Sequence, residues 1–577
     1  MIAAPYIFQE LFSKRWTAER AMRFLVLPLR ITDMTSFIGI DVGTGSARAG
    51  IFDAQGTLLA AHSQAIATEK PKQDFVNQSS RDIWAAICTC VKKAMADAGL
   101  AASDIAGIGF DATCSLVVLD GNGEPVTVSP GGDDDWNIIV WMDHRAIGDA
   151  EQINALKSPV LDYVGGVISP EMETPKLRWL KREMPQSFAR AHAFFDLPDW
   201  LVHKATGEDI RSLCSTVCKW TYLGQNGLAG EGWDKAYFES AGIAELAADN
   251  FRAIGNRFAA PGNKVGSLSD AAAADLGLAP GTAVAASLID AYSGALGTMG
   301  VDLGDGALDD RLALIAGTSS CHITVSEKPA FVPGVWGPYF SVLLPGLWAN
   351  EAGQSAAGAL IDRVIDGHAA IHEAREMAKA EGISVFALFD RRLEAMADDG
   401  ETATLTKSRH VQPDFHGNRS PLADPLRKGG ITGLSLDRGL DDLALDYLAT
   451  LQALAYGTRH IIAEMRANGV TVDTLVVSGG LVQNKLFLRE HADATGCAIV
   501  VPDQREPVLV GSAMLGAVAS GHYADLPAAM RAMSGPGSRI SPRGGEIATY
   551  HDRKYHVFRR MQEDFVAYAE LMAGADH

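Results

Sequence analysis

Residues Phe37 to Arg48 read FIGIDVGTGSAR, an apolar strand that ends on one carboxylate and runs into a glycine-rich turn. Backbone N–H groups and the hydroxyls of Thr44 and Ser46 at such a tip can hold anion oxygens as a nest, with Asp41 as the charge beside them. Gly43 and Gly45 permit positive φ and close backbone approach there. Because Ala47 to Phe52 returns at once as a second strand, the element reads as a β-hairpin. No lysine follows in P-loop spacing and no helix follows as a dinucleotide fingerprint needs, so both of those phosphate cradles are excluded.

Other residues could do chemistry as well. Asp290 closes the apolar run Ala283 to Ile289 and precedes small residues. A carboxylate so placed can accept a proton in a cleft or cap a helix, and the residues alone leave both readings open. Asp143, His144 and Arg145 follow the apolar run Ile138 to Met142. Asp143 and Arg145 offer a polyol fixed acceptors and donors, with Trp136 or Trp141 against its carbon face, although such a triplet alone is more often a surface charge cluster. Cys114 reads as a wall residue, since no base accompanies it to make a nucleophile. His368 and His372 share a helical face without a third ligand, which favours solvation over metal binding.

These residues need elements to position them. Strands and helices alternate through the first third: Ile38 to Ile51, an amphipathic segment from Ser80 to Ala98, then Ile105 to Asp111 and Ser115 to Leu119, which indicates an α/β layer fold. A Gly-, Pro- and Asp-rich loop follows over residues 120–137, and helical patterns dominate from Ala146 to Ala247. Leu312 to Ala316, the turn Gly317, Thr318, Ser319 and Ser320, and the return Cys321 to Val325 repeat the first hairpin without its aspartate. Later, Thr474 to Val477 is a strand that enters Gly479 and Gly480 and then a helix near Asn484. Two glycine-rich hairpins and one strand-to-helix turn suggest three sides of one nucleotide site.

The chain has 577 residues, 47% of them hydrophobic, which allows large buried cores. Its formal charge of −20 argues against nucleic acid or an anionic membrane as partner, so any anionic ligand must be captured locally. Seven scattered cysteines without a CxxC pair fit reduced cytosolic thiols and no structural metal. The apolar stretches Phe24 to Leu29 and Val508 to Ala519 are too short to span a membrane, so a cytoplasmic location is expected. Residues 1–35 read as an extension outside the core, with Met34 as the expected native start.

On these residues the chain resembles the FGGY carbohydrate kinases. The resemblance runs from about Ser36 to the C-terminus. It includes an echo of one signature at Lys176, Leu177, Arg178, Trp179 and Leu180, with Glu173 where the family has a small residue or proline. A second echo lies at Gly429, Ile431, Gly433 and Leu434 and at Ala449 to Gln452. The resemblance implies two actin-like (ribonuclease H-like) ATPase domains with an interdomain active-site cleft, at 36–295 for sugar and phosphate and 296–577 for nucleotide, which close on ATP and sugar.

It also implies roles. Asp290 is the catalytic base, and Asp41 holds Mg²⁺ directly or through water. Gly43, Thr44, Gly45 and Ser46 meet the γ-phosphate, Gly317, Thr318 and Ser319 clasp the phosphates from the other side, and Gly479, Gly480 and Asn484 form the adenosine turn. Thr113, Cys114, Asp143, His144, Arg145, Lys219 and Glu351 face the sugar. Thr113 to Val117 and Asp143 to Ala146 are similar to the D-ribulokinase branch, which implies transfer to the terminal hydroxyl of a ketopentose, D-ribulose first. L-ribulose, D-xylulose and ribitol stay open, a homodimer is allowed, and the reading from a different class is a non-catalytic actin-like sensor.

Overall fold

The computed structural model describes residues 35–303, 308–397 and 400–574. The expected start at Met34 and the 1–35 extension, but for its last residue, fall outside them. Two seven-stranded sheets organise the described chain. The first contains β1 (Ser36–Val42), β2 (Ser46–Phe52), β3 (Leu58–Ala65), β4 (Ile105–Ala112), β5 (Lys264–Ser267), β6 (Ala283–Ala285) and β7 (Leu288–Ile289). Its order is β5-β6-β4-β1-β2-β3, with β7 also on β4.

The second sheet contains β8 (Arg311–Ala316), β9 (Ser320–Ser326), β10 (Trp336–Phe340), β11 (Trp348–Gln354), β12 (Thr474–Ser478), β13 (Ala498–Pro502) and β14 (Gly537–Ile540). They run in the order β10-β11-β9-β8-β12-β13-β14. In both sheets an antiparallel hairpin, β1-β2 or β8-β9, has a parallel strand on the side of its first member, β4 or β12. Each hairpin also has a further antiparallel strand on its second member, β3 or β11. The internal echo in the sequence is thus a duplicated topology.

Strand β1 is buried on both faces, which its near-continuous apolar run anticipates. On one side the sheet packs on α1 (Ser80–Ala98), which lies against β2 and β3, and whose Ser79 cap accepts from Asp82 N and whose left-handed Gly99 ends it. The other face meets α8 (Pro507–Ala519), labelled in chain order after α2 (Glu173–Glu183), α3 (Leu213–Trp220), α4 (Asp290–Met299), α5 (Gly358–Asp366), α6 (Leu440–Ala467) and α7 (Lys485–Thr495). A Cβ on Gly39 or Gly109 would stand 1.9 Å from the backbone oxygen of Leu509 or Ser512, so only glycine lets α8 lie this close to the sheet.

Helix α8 also packs on α4, and α4 in turn contacts β8 and β12 of the second sheet. These two small-residue helices tie the sheets together, and the 295/296 domain division expected from the sequence falls inside α4. The long helix α9 (Glu546–Met572) packs on α6 and α7.

Some expectations change. Neither Gly43 nor Gly45 adopts positive φ, because the turn is closed by Gly43 N donating to Ser46 O at 3.0 Å in ordinary backbone conformations. The run Ala283 to Ile289 is two short strands, since Ala286 N donates to Asn263 O and Ser287 O accepts from Ser212 Oγ instead of continuing the ladder. His368 is not on the helix of His372; it lies in the turn after α5, and the helix Ile371–Glu381 begins beyond it.

Candidate active site

Pairing builds the first half of the site. Asp41 on β1 stands opposite Arg48 on β2 and Asp111 on β4. Directly opposed residues project to one face of a sheet, so a guanidinium and two carboxylates form a row. Arg48 Nε donates to Asp41 Oδ2 at 2.6 Å, and its Nη1 to Glu506 Oε2 at 3.1 Å. Asp111 is fully buried, with Oδ2 accepting from Ser512 Oγ while Oδ1 has no partner. Burial, then repulsion from Asp41, pushes its carboxyl well above the usual range.

Asp290 is the first residue of α4, one step past β7, whose Leu288 and Ile289 pair with Asp111 and Ala112. It therefore sits at the end of the acidic row. Its Oδ1 accepts from Ala291 N at 2.7 Å. Burial, then the charge of Asp41, pushes its pKa up to about 7, the range in which a carboxylate serves best as a general base at neutral pH.

The three glycine-rich turns are held in different ways. At the first tip a Cβ on Gly45 would meet nothing within 4 Å, and one on Gly43 nothing closer than 3.9 Å, so the tip is open. Thr44 Oγ1 accepts from Trp141 Nε1 at 3.0 Å, and Gln78 Nε2 donates to Thr44 O at 2.8 Å, which fixes the tip without filling it. In the second turn Gly317 N donates to Ser319 O at 2.9 Å, while the carbonyls of Thr318 and Gly317 accept from Ala357 N and Gly358 N at the start of α5. Gly479 has φ of +92°, and a Cβ there would lie 2.4 Å from Ala316 O, so the third turn rests on the end of β8.

Asn484 holds the third turn from its far end. Its Oδ1 caps α7 by accepting from Phe487 N at 2.9 Å, and its Nδ2 donates to Tyr447 OH at 2.7 Å. The side chain sets the turn and joins it to the helix that follows.

Asp143 and Arg145 depart from their expected role. Their side chains are wholly buried and paired at 2.6 Å. Asp143 Oδ2 also accepts from Val76 N, and Arg145 donates to Val128 O and Asn77 Oδ1. The guanidinium lies 4.3 Å from the Phe75 ring and 5.0 Å from that of Trp179, on the signature helix α2. With these hydrogen bonds made inside the protein, the pair is a buried brace behind the sugar loop and not a sugar ligand. Trp141, the other aromatic candidate, is tied to Thr44; Trp136 belongs to the preceding loop, where its carbonyl accepts from Val128 N.

The expectation for His368 also changes. Its Nδ1 accepts from Ala370 N, and its Nε2 lies 3.1 Å from Asp442 Oδ2. His368, Asp442 and Asp446 lie close enough to share an ion, yet Arg409 already pairs with both carboxylates at 2.7 and 2.8 Å. The guanidinium fills the cation position.

The remaining sugar-side residues converge. Thr113 Oγ1 lies 3.1 Å from Ser115 Oγ, which accepts from Trp141 N. Lys219, at the end of α3, has its Nζ 4.4 Å from the Trp336 ring, and Trp336 on β10 stands opposite Glu351 on β11. Burial would push the ammonium down, but its anionic surroundings, the Glu351 carboxylate among them, more than offset this and hold its pKa above the lysine range. Burial keeps the Cys114 thiol protonated. Glu351 Oε2 is buried without a partner.

Against this geometry, the FGGY carbohydrate kinase N-terminal and C-terminal domain families match residues 36–297 and 312–520. The chain belongs to the FGGY family of carbohydrate kinases. It is 49% identical over 545 residues to the human FGGY carbohydrate kinase domain-containing protein, covering 93% of this chain and 98% of that one. Identity to a D-ribulokinase of Saccharomyces cerevisiae is 41% over 515 residues, 84% of this chain and 72% of the relative. The solved xylulose kinase of Rhodospirillum rubrum superposes with a TM-score of 0.75 at 20% identity, over 92% of this chain and 99% of its own. The fold is the two-domain actin-like one, and the enzyme is an ATP-dependent carbohydrate kinase. Among the described residues of this kinase, no helix is long and apolar enough to cross a membrane.

Sequence reasoning missed several residues of the kinase's site. Asp111 stands in the sequence only as the end of a strand, whereas parallel pairing sets it opposite Asp41. Arg48 could have been found from hairpin register, since it is opposite Asp41. Trp336, Arg419 and Glu171 carried no local signal at all.

Proposed function

We propose that this kinase transfers the γ-phosphoryl group of ATP to the terminal hydroxyl of a ketopentose, with D-ribulose as substrate and D-ribulose 5-phosphate as product. The observation that carries this reading is Asp290: a partly exposed carboxylate with a pKa of about 7, between the acidic row and the Lys219–Glu351 pocket. There it accepts the hydroxyl proton as the oxygen attacks phosphorus. The pocket's charges nearly cancel, with Lys219, Arg419 and His144 against Glu171, Glu351 and Asp290, which suits a neutral sugar. The likeness to a D-ribulokinase supports the choice of pentulose.

The donor set fits Mg²⁺. Asp41 offers the hard anionic oxygens that ion favours, and Asp111 beside it, whose Oδ1 has no hydrogen-bond partner, would add a second carboxylate on giving up its proton as the ion binds. Bound there with ATP, Mg²⁺ would supply charge neutralisation among the phosphate oxygens. Thr44, Ser46 and the N–H groups of the open tip receive the γ-phosphate, while Gly317, Thr318 and Ser319 face it from the second sheet and Gly479 and Gly480 border the adenosine. A sugar half over 36–295 and a nucleotide half over 296–577 then close about α4 and α8. A cytoplasmic location fits the seven free cysteines.

The test is ADP release with a panel of D-ribulose, L-ribulose, D-xylulose, ribitol and glycerol. D-Ribulose should give the highest kcat/KM, and the product should be D-ribulose 5-phosphate. Preference for another member overturns the substrate assignment, and no sugar-dependent ADP with any member overturns the kinase reading in favour of a sensor.

A further inference from the structure

Beyond Asp290 and Lys219, three side chains meet at the sugar pocket with hydrogen-bonding capacity to spare. Glu171 precedes α2, His144 belongs to the sugar loop, and Arg419 comes from the second half of the chain, between strands His410–Gln412 and Gly430–Thr432. His144 Nε2 and Arg419 Nη2 lie 3.8 and 3.9 Å from the same oxygen, Glu171 Oε1. None of these contacts is short enough for a hydrogen bond. Among the described residues, the one hydrogen-bond contact of the Arg419 guanidinium is the Cys321 sulfur at 4.0 Å, so its oxygen-seeking donors are unspent. The contrast with Arg145, which donates to a carboxylate, an amide oxygen and a carbonyl, is direct.

Packing keeps Arg419 in place. A Cβ on Gly353 would fall 3.0 Å from its Cδ, and its guanidinium carbon is 5.6 Å from the centroid of Trp336, the ring that Lys219 also covers. Burial would raise the Glu171 pKa, but Arg419, His144 and Lys219 together lower it to about 2, so it is a carboxylate at any working pH. Lys219 shares the Trp336 ring with Arg419 and acts electrostatically on both Glu171 and Asp290, so it links the two groups of charges. The backbones of the two halves also touch here, through a bridge between Val164 and Gly337 and the Tyr163–Phe331 ring pair at 5.2 Å.

We propose that Glu171 and Arg419, with His144, are the specificity-determining end of the sugar pocket: they bind the hydroxyls farthest from the phosphorylated one, across the junction of the two halves. A sugar long enough to reach from Asp290 past Lys219 satisfies the idle donors and acceptors and draws Arg419 toward Glu171. A shorter acceptor leaves them unpaired, which a site built to hydrogen-bond its substrate penalises. This rests on the sugar-kinase reading of the site and names the residues that measure the sugar's length.

The experiment compares D-ribulose with the four-carbon ketose erythrulose in wild type, Glu171→Gln, Arg419→Met and the charge-exchanged Glu171→Arg/Arg419→Glu enzyme. Each single variant should raise the KM for D-ribulose about tenfold or more with kcat within about threefold, and should change kcat/KM for erythrulose by less than about threefold. The exchanged enzyme should recover part of the loss, a gain that a merely structural role would not give. Parallel losses with both ketoses, or no loss with D-ribulose, overturn the proposal. Should a variant fail to fold, Glu171→Asp and Arg419→Lys carry the same comparison. If wild type prefers another sugar, the substrate assignment fails and the same ratio is measured with that sugar and its analogue one carbon shorter. If wild type phosphorylates none, the kinase reading fails separately, and D-ribulose affinity read by tryptophan fluorescence must still fall in both single variants.

Discussion

The two hairpins hold the same place in sheets of the same topology, yet at matched register one carries Arg48, Asp41 and Asp111 and the other Cys321, Ile315 and Ser478. The strand topology is shared, but at this register only the first hairpin carries charge. The first row faces Asp290 and can engage a cation and a proton. The second presents backbone and small polar groups and can only line a phosphate path. A buried charge therefore has to be judged by what its atoms still lack. Asp111 retains an unpartnered oxygen, whereas the equally buried Asp143–Arg145 pair has its acceptors and donors engaged by its neighbours.

Changing each region separately sharpens that contrast. Asp290→Asn should lower kcat by about 10³-fold while ATP affinity and fold persist, as loss of a general base does. Asp41→Asn should cost about 10²-fold in kcat and raise the Mg²⁺ concentration needed for half-maximal rate, as removal of one electrostatic contact at phosphoryl transfer does. In the matched row, Ile315→Val and Cys321→Ser should leave kcat within about threefold of wild type. A loss equal to that of Asp41→Asn would erase the distinction between the hairpins.

Stability should separate the same way. Arg145→Met leaves Asp143 buried and unpaired, so it should destabilise by about 3–5 kcal/mol and lower the thermal midpoint by several degrees. Asp290→Asn should do the opposite at pH 8. The folded carboxyl titrates at about 7 against an ordinary 3.8, so the folded state holds a proton that the unfolded state has released, and stability declines as pH rises from about 4 to about 7. The asparagine variant escapes this decline, and its midpoint should exceed that of wild type at pH 8 but not at pH 4.

Much of this arrangement was legible in the sequence because it is local. Strand alternation and glycine spacing located both hairpins, the strand-to-helix turn at Gly479 and helix α1. The pocket was less legible because its contacts are distant in the chain. Asp111 meets Asp41 through strands about 70 residues apart, and Glu171, Trp336 and Arg419 come together only when the two halves do. Asp143 and Arg145 invited a sugar-binding role because they are charged and follow an apolar run. What removes them from it is Asn77, Val76 and Val128, partners that no local pattern announces.

The pH dependence of kcat/KM for D-ribulose, measured in wild type at saturating Mg²⁺ and ATP, bears most directly on the claim that burial, together with the charge of Asp41, raises Asp290 into the range of a working base. Asp290 is active when deprotonated, so the rate should fall tenfold per pH unit below a break near 7 and level off above it. A profile that stays flat between pH 5 and 8 would contradict it.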